Sequence, residues 1–333
     1  MSIVIRGSRF LFLAMGVCLL GYLLWRVGVR SVFEQVLLIG WGIVPVLIVS
    51  LSVKCSNTLA WRMAFPPEGS RPGYGRLLTV YLAADVVNLL PTANIGGELA
   101  KSYFLRAETP MTESASAVVA NKTVEAITGI VFAAAGVGLA LSSLPLVERL
   151  RSGLIVAVFV VGSAVGLAFL LQRRRPIGRL LGFLGRLRIR IGALERRREA
   201  VDSMDAHLSG FYTTNRRRFL LCTLLHFGSW IMGVLEAYLI IRFMGQEVAF
   251  TTVFLLVALA FVVKAAFFFV PASIGAFEAG QTYLFYLLGM TPALGLSVAL
   301  IQRFRQVLWM GTGLALLYLQ SGARPDPVDG SPP

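Results

Sequence analysis

The chain has 333 residues, of which 56% are hydrophobic and only 14% charged, with a mean hydropathy of +0.75. A soluble domain carries roughly 25% charged residues, so the composition excludes a soluble enzyme. The net charge of +14 does not argue for a nucleic-acid partner, because thirteen arginines are concentrated in residues 173–218, between two apolar blocks. That is the positive-inside pattern, in which Lys and Arg resist translocation.

The predicted spans, in chain order, are residues 10–25, 36–61, 123–144, 153–171, 219–241, 251–270 and 293–319. Each is sized against a hydrocarbon core of about 30 Å. Arg6 and Arg9 before the first block resemble a signal peptide. The small residues of a cleavage site are missing before Trp25-Arg26, so an uncleaved first span is expected. With the N-terminus placed on the cytoplasmic side, Arg62, Arg71, Arg76 and the arginine-rich segment fall on that same side. Both termini are then cytoplasmic. Cys18, Cys55 and Cys222 lie inside apolar blocks without a CxxC or Cys/His cluster, so no disulfide, metal site or cofactor is expected.

Two segments are apolar but broken. Residues 77–90 are followed by Pro91-Thr92-Ala93-Asn94-Ile95-Gly96-Gly97 before Glu98 and Lys101. Proline removes a backbone donor and clashes with the preceding turn, and paired glycines weaken the helix further. The first arm, about 21 Å as helix, is too short to cross. The charge pattern also returns the chain to the side it left, which fits a re-entrant hairpin or two short tilted spans. The second break follows residues 251–270, at Pro271-Ala272-Ser273-Ile274-Gly275-Ala276-Phe277-Glu278.

The breaks repeat one another. Pro91 precedes Glu98 by seven positions and Pro271 precedes Glu278 by seven; Lys122 lies 24 after Glu98, and Arg303 lies 25 after Glu278. One hairpin opens inward and the other outward, as in secondary transporters built from inverted repeats. The expected fold is an all-α polytopic membrane protein of about six full spans plus two broken hairpins, arranged as an inverted repeat. Repeat one is about residues 77–144 and repeat two about 251–319, within a membrane domain of residues 1–319. Residues 320–333, rich in Pro and Gly, are expected to be a disordered tail.

Charge inside a membrane costs several kcal/mol, roughly 2.5–3.5 by insertion scales. Asp85, Glu98, Lys101, Lys122, Glu125, Glu236, Lys264, Glu278, Arg303 and Arg305 all lie in or beside predicted spans. The candidate translocation site is Glu98, Lys122, Glu278 and Arg303, with Asn94 and Lys101 nearby; Pro91, Gly96, Gly97, Pro271 and Gly275 supply the helix breaks. Helix N-termini after Gly97 and Gly275 offer free N–H groups to an anion. The same four charges also suit buried salt bridges that tie the breaks to their neighbours, and the two readings are compatible. Proton exchange through Glu98 or Glu278 is a further expectation. Among the remaining polar residues, Lys54 is expected to snorkel, Lys122 and Glu125 to pair along one helix, His226 to be a hydrogen-bonded packing residue, and Glu236 to pair with Arg242. In the arginine-rich segment, Leu180, Leu184, Leu187, Ile191 and Leu194 interleave with arginines as a surface-lying amphipathic helix would; a solvated charged loop that only fixes topology is the alternative.

Leu90-Pro91 through Gly96-Gly97-Glu98, Val270-Pro271 through Glu278, and Arg303 in the last span together resemble the flippase-like family. That family includes the transmembrane domain of lysylphosphatidylglycerol synthases and stand-alone relatives, one branch of which is associated with hopanoid biosynthesis. The likeness spans roughly residues 10–319. It implies movement of a lipid, or a lipid-linked anionic head group, between leaflets of the cytoplasmic (inner) membrane. It also implies membrane lipids, anionic or polyisoprenoid-type, as partners, with lipid-biosynthesis enzymes as further candidates. Lys122 stands where relatives often carry Arg, and Ile274-Gly275-Ala276 is less glycine-rich than usual, so substrate preference is open to change. No soluble aminoacyl-transferring domain is expected. Two other functions remain: a non-transporting accessory protein of a lipid-biosynthesis complex, and a membrane-embedded lipid-modifying transferase. The second would need a nucleophile or base with a partner, and the sequence offers no such constellation.

Overall fold

The computed structural model describes residues 37–89, 96–143, 148–173, 198–266 and 276–322. The first predicted span and residues 180–194 of the amphipathic pattern therefore lie outside the described residues. Ordered structure among the described residues is helical throughout: α1 (Ile43–Ala64), α2 (Tyr74–Ala84) continued by a 3₁₀ turn (Asp85–Leu89), α3 (Gly96–Phe104), α4 (Met111–Ser143), α5 (Glu148–Arg173), α6 (Arg198–Thr213), α7 (Arg216–Phe243), α8 (Phe250–Ala266), α9 (Ala276–Leu287) and α10 (Pro292–Gly322). With no water in hydrocarbon to satisfy a peptide group, a chain this apolar closes its backbone bonds within helices.

Four helical segments are long and apolar enough to cross a membrane: Leu37–Ala64, Met111–Ser142, Arg151–Gln172 and Arg216–Phe243. The helix α8 is apolar, and 17 of its residues are described. By contrast, α10 runs for 31 residues but carries Gln302, Arg303, Arg305 and Gln306 at its middle, and it is not among the four. A mid-helix charge is tolerated when the helix packs inside protein rather than facing lipid.

Two apolar clusters organise the bundle. One joins Val46, Phe132, Val234, Leu256, Phe285 and Ile301; the other joins Trp61, Leu77, Val118, Leu208, Phe211 and Cys222. Along α1 the first cluster is met before the second, and along α4 and α7 the order is reversed. So α4 and α7 run opposite to α1. Helix α10 begins in the first cluster with Val298 and Ile301 and ends where Gln320 meets Arg76 and Thr79 of α2, so it too opposes α4. These senses agree with the alternation expected from the charges.

The longest interface is between α1 and α7. Around it the contacts are exchanged: α2 packs on α10, and α8 packs on α4, while each short helix, α3 or α9, packs on the two helices of its own half. Two inverted halves that share a twofold-like relation make this set of contacts. Because α1 precedes α2 as α7 precedes α8, the related units include one more helix each than residues 77–144 and 251–319 suggest.

The arginine-rich segment is not all loop. Within it, α6 packs against α4 and α5 and buries Leu208, Phe211 and Tyr212, with Phe211 and Tyr212 edge-on to Phe219. Apolar residues at helical spacing draw this stretch onto the bundle, despite the many arginines around it.

Candidate functional site

On α1, α4 and α7 a polar layer separates the two apolar clusters: Lys54 on α1, Glu125 and Thr128 on α4, His226 and Ser229 on α7. The described flanks of the first break lie close together. There the Gly97 N–H donates to Asn88 Oδ1 at 2.8 Å. A Cβ on Gly97 would stand only 2.6 Å from Asn88 Nδ2 and 2.7 Å from the Ala84 carbonyl oxygen, so the close approach of α3 to α2 requires glycine there. Pro91, Asn94, Pro271 and Gly275 lie outside the described residues; Gly96 and Gly97 begin α3 and are buried.

Glu98, one turn into α3, is the hub of the first half. Lys101 Nζ donates to both of its carboxylate oxygens at 3.0 Å. Lys122 on α4 stands 3.6 Å from Glu98 and 3.1 Å from Glu125. The Lys101 side chain is only 4% exposed, and its ammonium lies 4.4 Å from the Tyr81 ring centroid and 5.5 Å from that of Trp61. Aromatic faces attract a cation and lower the cost of desolvating it. Lys54 is not a snorkelling residue: it donates to Asp85 at 2.8 Å and lies 5.4 Å from the Tyr81 ring. A carboxylate in reach at mid-membrane binds the ammonium better than a long excursion to the interface does.

In the second half, Arg303 on α10 donates through Nε to Glu278 at 2.6 Å and through Nη1 to Gln306 at 3.0 Å. Gln281, one turn after Glu278, reaches Gln302 at 3.5 Å. Glu236 does not pair with Arg242. It binds Arg305 of α10, while Arg242 is left to Glu247 at 3.5 Å. Arg242 stands at the end of α7, whereas Glu236 is turned inward and buried against the bundle. His226 meets Asn121 at 3.0 Å as a packing residue.

The structure thus joins Glu98, Lys101 and Lys122 in one cluster and Glu278 and Arg303 in another. It adds Lys54, Asp85, Glu125, Glu236 and Arg305, and it extends the repeat. Glu98 and Lys101 correspond to Glu278 and Gln281; Asn121, Lys122 and Glu125 correspond to Gln302, Arg303 and Gln306. The signal lay in the sequence as paired i, i+3 spacings, but it crosses from charge to amide and escapes a search for charges alone.

Each cluster keeps a base exposed. Half of the Lys122 side chain is exposed although it sits mid-bundle, and Lys264 on α8 is exposed as well. Charged side chains at this depth face protein or a water-filled cavity.

Long apolar helices, a mid-depth layer of ion pairs and two broken segments define a polytopic integral membrane protein with a polar interior. The chain belongs to the family described as the lysylphosphatidylglycerol synthase TM region, which it matches over residues 9–315. It is 24% identical over 314 residues to a UPF0104 membrane protein of Pyrococcus horikoshii, a match covering 89% of this chain and 92% of the relative. No solved structure matches it.

Proposed function

We propose that this protein is a lipid translocase, moving an anionic lipid or lipid-linked head group between the leaflets of the cytoplasmic membrane, with its arginine-rich side facing the cytoplasm. The observation that carries this reading is the exchange of contacts between two oppositely running halves around a charged layer. Each half brings a carboxylate from a broken helix, Glu98 or Glu278, onto a base of a long helix, Lys122 or Arg303. A head group passing the hydrocarbon core needs a polar path at that depth, and paired charges that can exchange partners supply one without leaving a bare ion in lipid. Lys122 shares itself between Glu98 and Glu125, so loss of one contact to a passing phosphate leaves it partnered. The reading is of transport rather than group transfer, and it takes membrane lipid as the partner.

The test is translocation of labelled anionic phospholipids in proteoliposomes, comparing wild type with Arg303→Ala and Glu98→Gln. Wild type moves lipid, and variants that elute as wild type does lose at least about tenfold in rate. A folded wild type that moves none of a broad lipid panel overturns the proposal. It would favour an accessory role in a lipid-synthesis complex.

A further inference from the structure

The two charged clusters share a framework but not a charge balance. Around the first break, Lys54, Lys101 and Lys122 meet Asp85, Glu98 and Glu125, and each of the six has an opposite charge within 3.6 Å. Around the second, Arg303 and Arg305 take up Glu278 and Glu236. Lys264 is left with no carboxylate partner among the described residues. The nearby segment 267–275 contains no acid that could serve. Counting back from Glu98 and Glu278, Asp85 matches Ala265 and Lys264 lies one position earlier, so the second half has a base beside the position where the first has an acid. The i, i+3 positions that hold Lys101 and Glu125 in the first half are Gln281 and Gln306 in the second.

Unused donors lie in this half. Arg303 is 6% exposed, and its Nη2 is buried without a hydrogen-bond partner; Arg305 Nε is likewise buried and unpartnered. A buried guanidinium N–H without an acceptor costs more than an ordinary unmade hydrogen bond. Lys264 is exposed, its ammonium 5.6 Å from the Phe277 ring, with Arg303 on the same ring at 5.8 Å. Beside this basic corner, an open apolar groove of about 410 Å³ runs from Glu278 past Thr282, Tyr283 and Tyr286 to Pro292 and Leu296. An excess of donors next to an apolar channel fits an amphiphile with an anionic head and a hydrocarbon tail.

We infer that the corner where Lys264 and Arg303 meet over Phe277 holds the phosphate of an anionic lipid, with Lys264 as its principal ligand, Arg303 Nη2 as a second donor, and the α9–α10 groove as the seat of an acyl chain. The site takes its functional meaning from the translocase reading, but it is defined by binding, and binding can be measured without transport. Charge-assisted bonds to phosphate are roughly twice as strong as neutral ones. Loss of the lysine should therefore be read directly as loss of affinity.

The experiment follows thermal unfolding of the purified full chain in detergent while titrating phosphatidylglycerol, phosphatidylcholine or inorganic phosphate. Phosphatidylglycerol stabilises wild type at lower concentration than phosphatidylcholine does, because choline brings a cation into a basic corner. Lys264→Gln requires about tenfold or more phosphatidylglycerol for the same stabilisation, whereas Lys264→Arg retains wild-type response. Should Lys264→Gln fail to fold, Lys264→Met carries the same test. Wild type without preference for the anionic lipid overturns the inference, as does a folded Lys264→Gln that responds like wild type. Inorganic phosphate acting as well as lipid overturns the acyl-chain assignment. If binding depends on Lys264 but proteoliposomes show no translocation, the site stands and the translocase reading falls.

Discussion

Around the first break Lys54, Lys101 and Lys122 each have a carboxylate, and the ammonium of Lys101 is enclosed between Tyr81 and Trp61; around the second, glutamines replace two charges, and Lys264 is exposed with no carboxylate partner among the described residues. Two halves with the same helix order and matching spacings have thus been given different electrostatic tasks. A closed set of ion pairs is strongly held, because removing any member strands a charge in a low-dielectric layer. An open set has donors to spare. The comparison teaches that a shared framework does not divide labour equally: the first half has the charges of an anchor, the second those of a receiver.

The largest effect should come from Arg303→Ala. This removes the guanidinium that pairs with Glu278, 2.6 Å away and little exposed. Breaking a buried pair on one side costs about 3–5 kcal/mol. Arg303→Ala with Glu278→Gln should recover a large part of that in thermal or denaturant unfolding. A single variant no less stable than the double would show that Glu278 finds another partner, and the second cluster would then be less open than its contacts suggest.

Next is Gly97→Ala. The second half already carries Ala276 where the first has Gly97, counting from Ile95 and Ile274. Yet a Cβ at Gly97 meets Asn88 and the Ala84 backbone at 2.6–2.7 Å. Backbone cannot yield as a flexible side-chain tip can, so a loss of about 1–3 kcal/mol is expected. Ala276→Gly should lose less than about 1 kcal/mol. Equal losses would mean that the first break is no tighter than the second.

A smaller change sharpens the electrostatic side of the comparison. Gln306→Glu places a carboxylate where Arg303 Nη1 now meets an amide at 3.0 Å, reproducing the Lys122–Glu125 arrangement. The second half then approaches the neutral balance of the first. Phosphatidylglycerol stabilisation, followed by thermal unfolding, should need about tenfold more lipid. Unchanged lipid response would separate anion binding from net charge at this corner.

Much of this was readable from the chain. Block lengths and the positive-inside bias predict α1, α4, α5, α7 and their senses, because the bilayer sets a length and translocation sets a side. The Pro/Gly runs at 91–97 and 271–275 are helix breakers by sequence, for reasons internal to the backbone. The Glu98–Lys122 and Glu278–Arg303 links follow from matched spacings. What resisted reading was azimuth. Helices α1 and α7 are apolar nearly all round, so the sequence does not say which way Lys54 or Glu236 points. Their partners, Asp85 and Arg305, are 31 and 69 positions away. For α6 the obstacle was different, since the surrounding arginines hid an apolar face of Leu208, Phe211 and Tyr212.

The smallest expected effect concerns Lys54 and Asp85, and it asks whether the closed half is closed throughout. Their pair is short, 2.8 Å, but both side chains keep partial exposure, 19% and 25%. Water therefore screens them more than it does Arg303 and Glu278, and the coupling should be on the order of 1 kcal/mol. The Tyr81 face holds the Lys54 ammonium as well, at 5.4 Å, so Asp85→Asn leaves that cation with a second attraction. A double-mutant cycle of Lys54→Met and Asp85→Asn in thermal unfolding isolates the pair term. A coupling near 1 kcal/mol marks this pair as the loosest joint of the first half. A coupling of about 3 kcal/mol or more would place it with the fully buried pairs, and the polar layer would then be sealed on the α1 side and open toward Lys264.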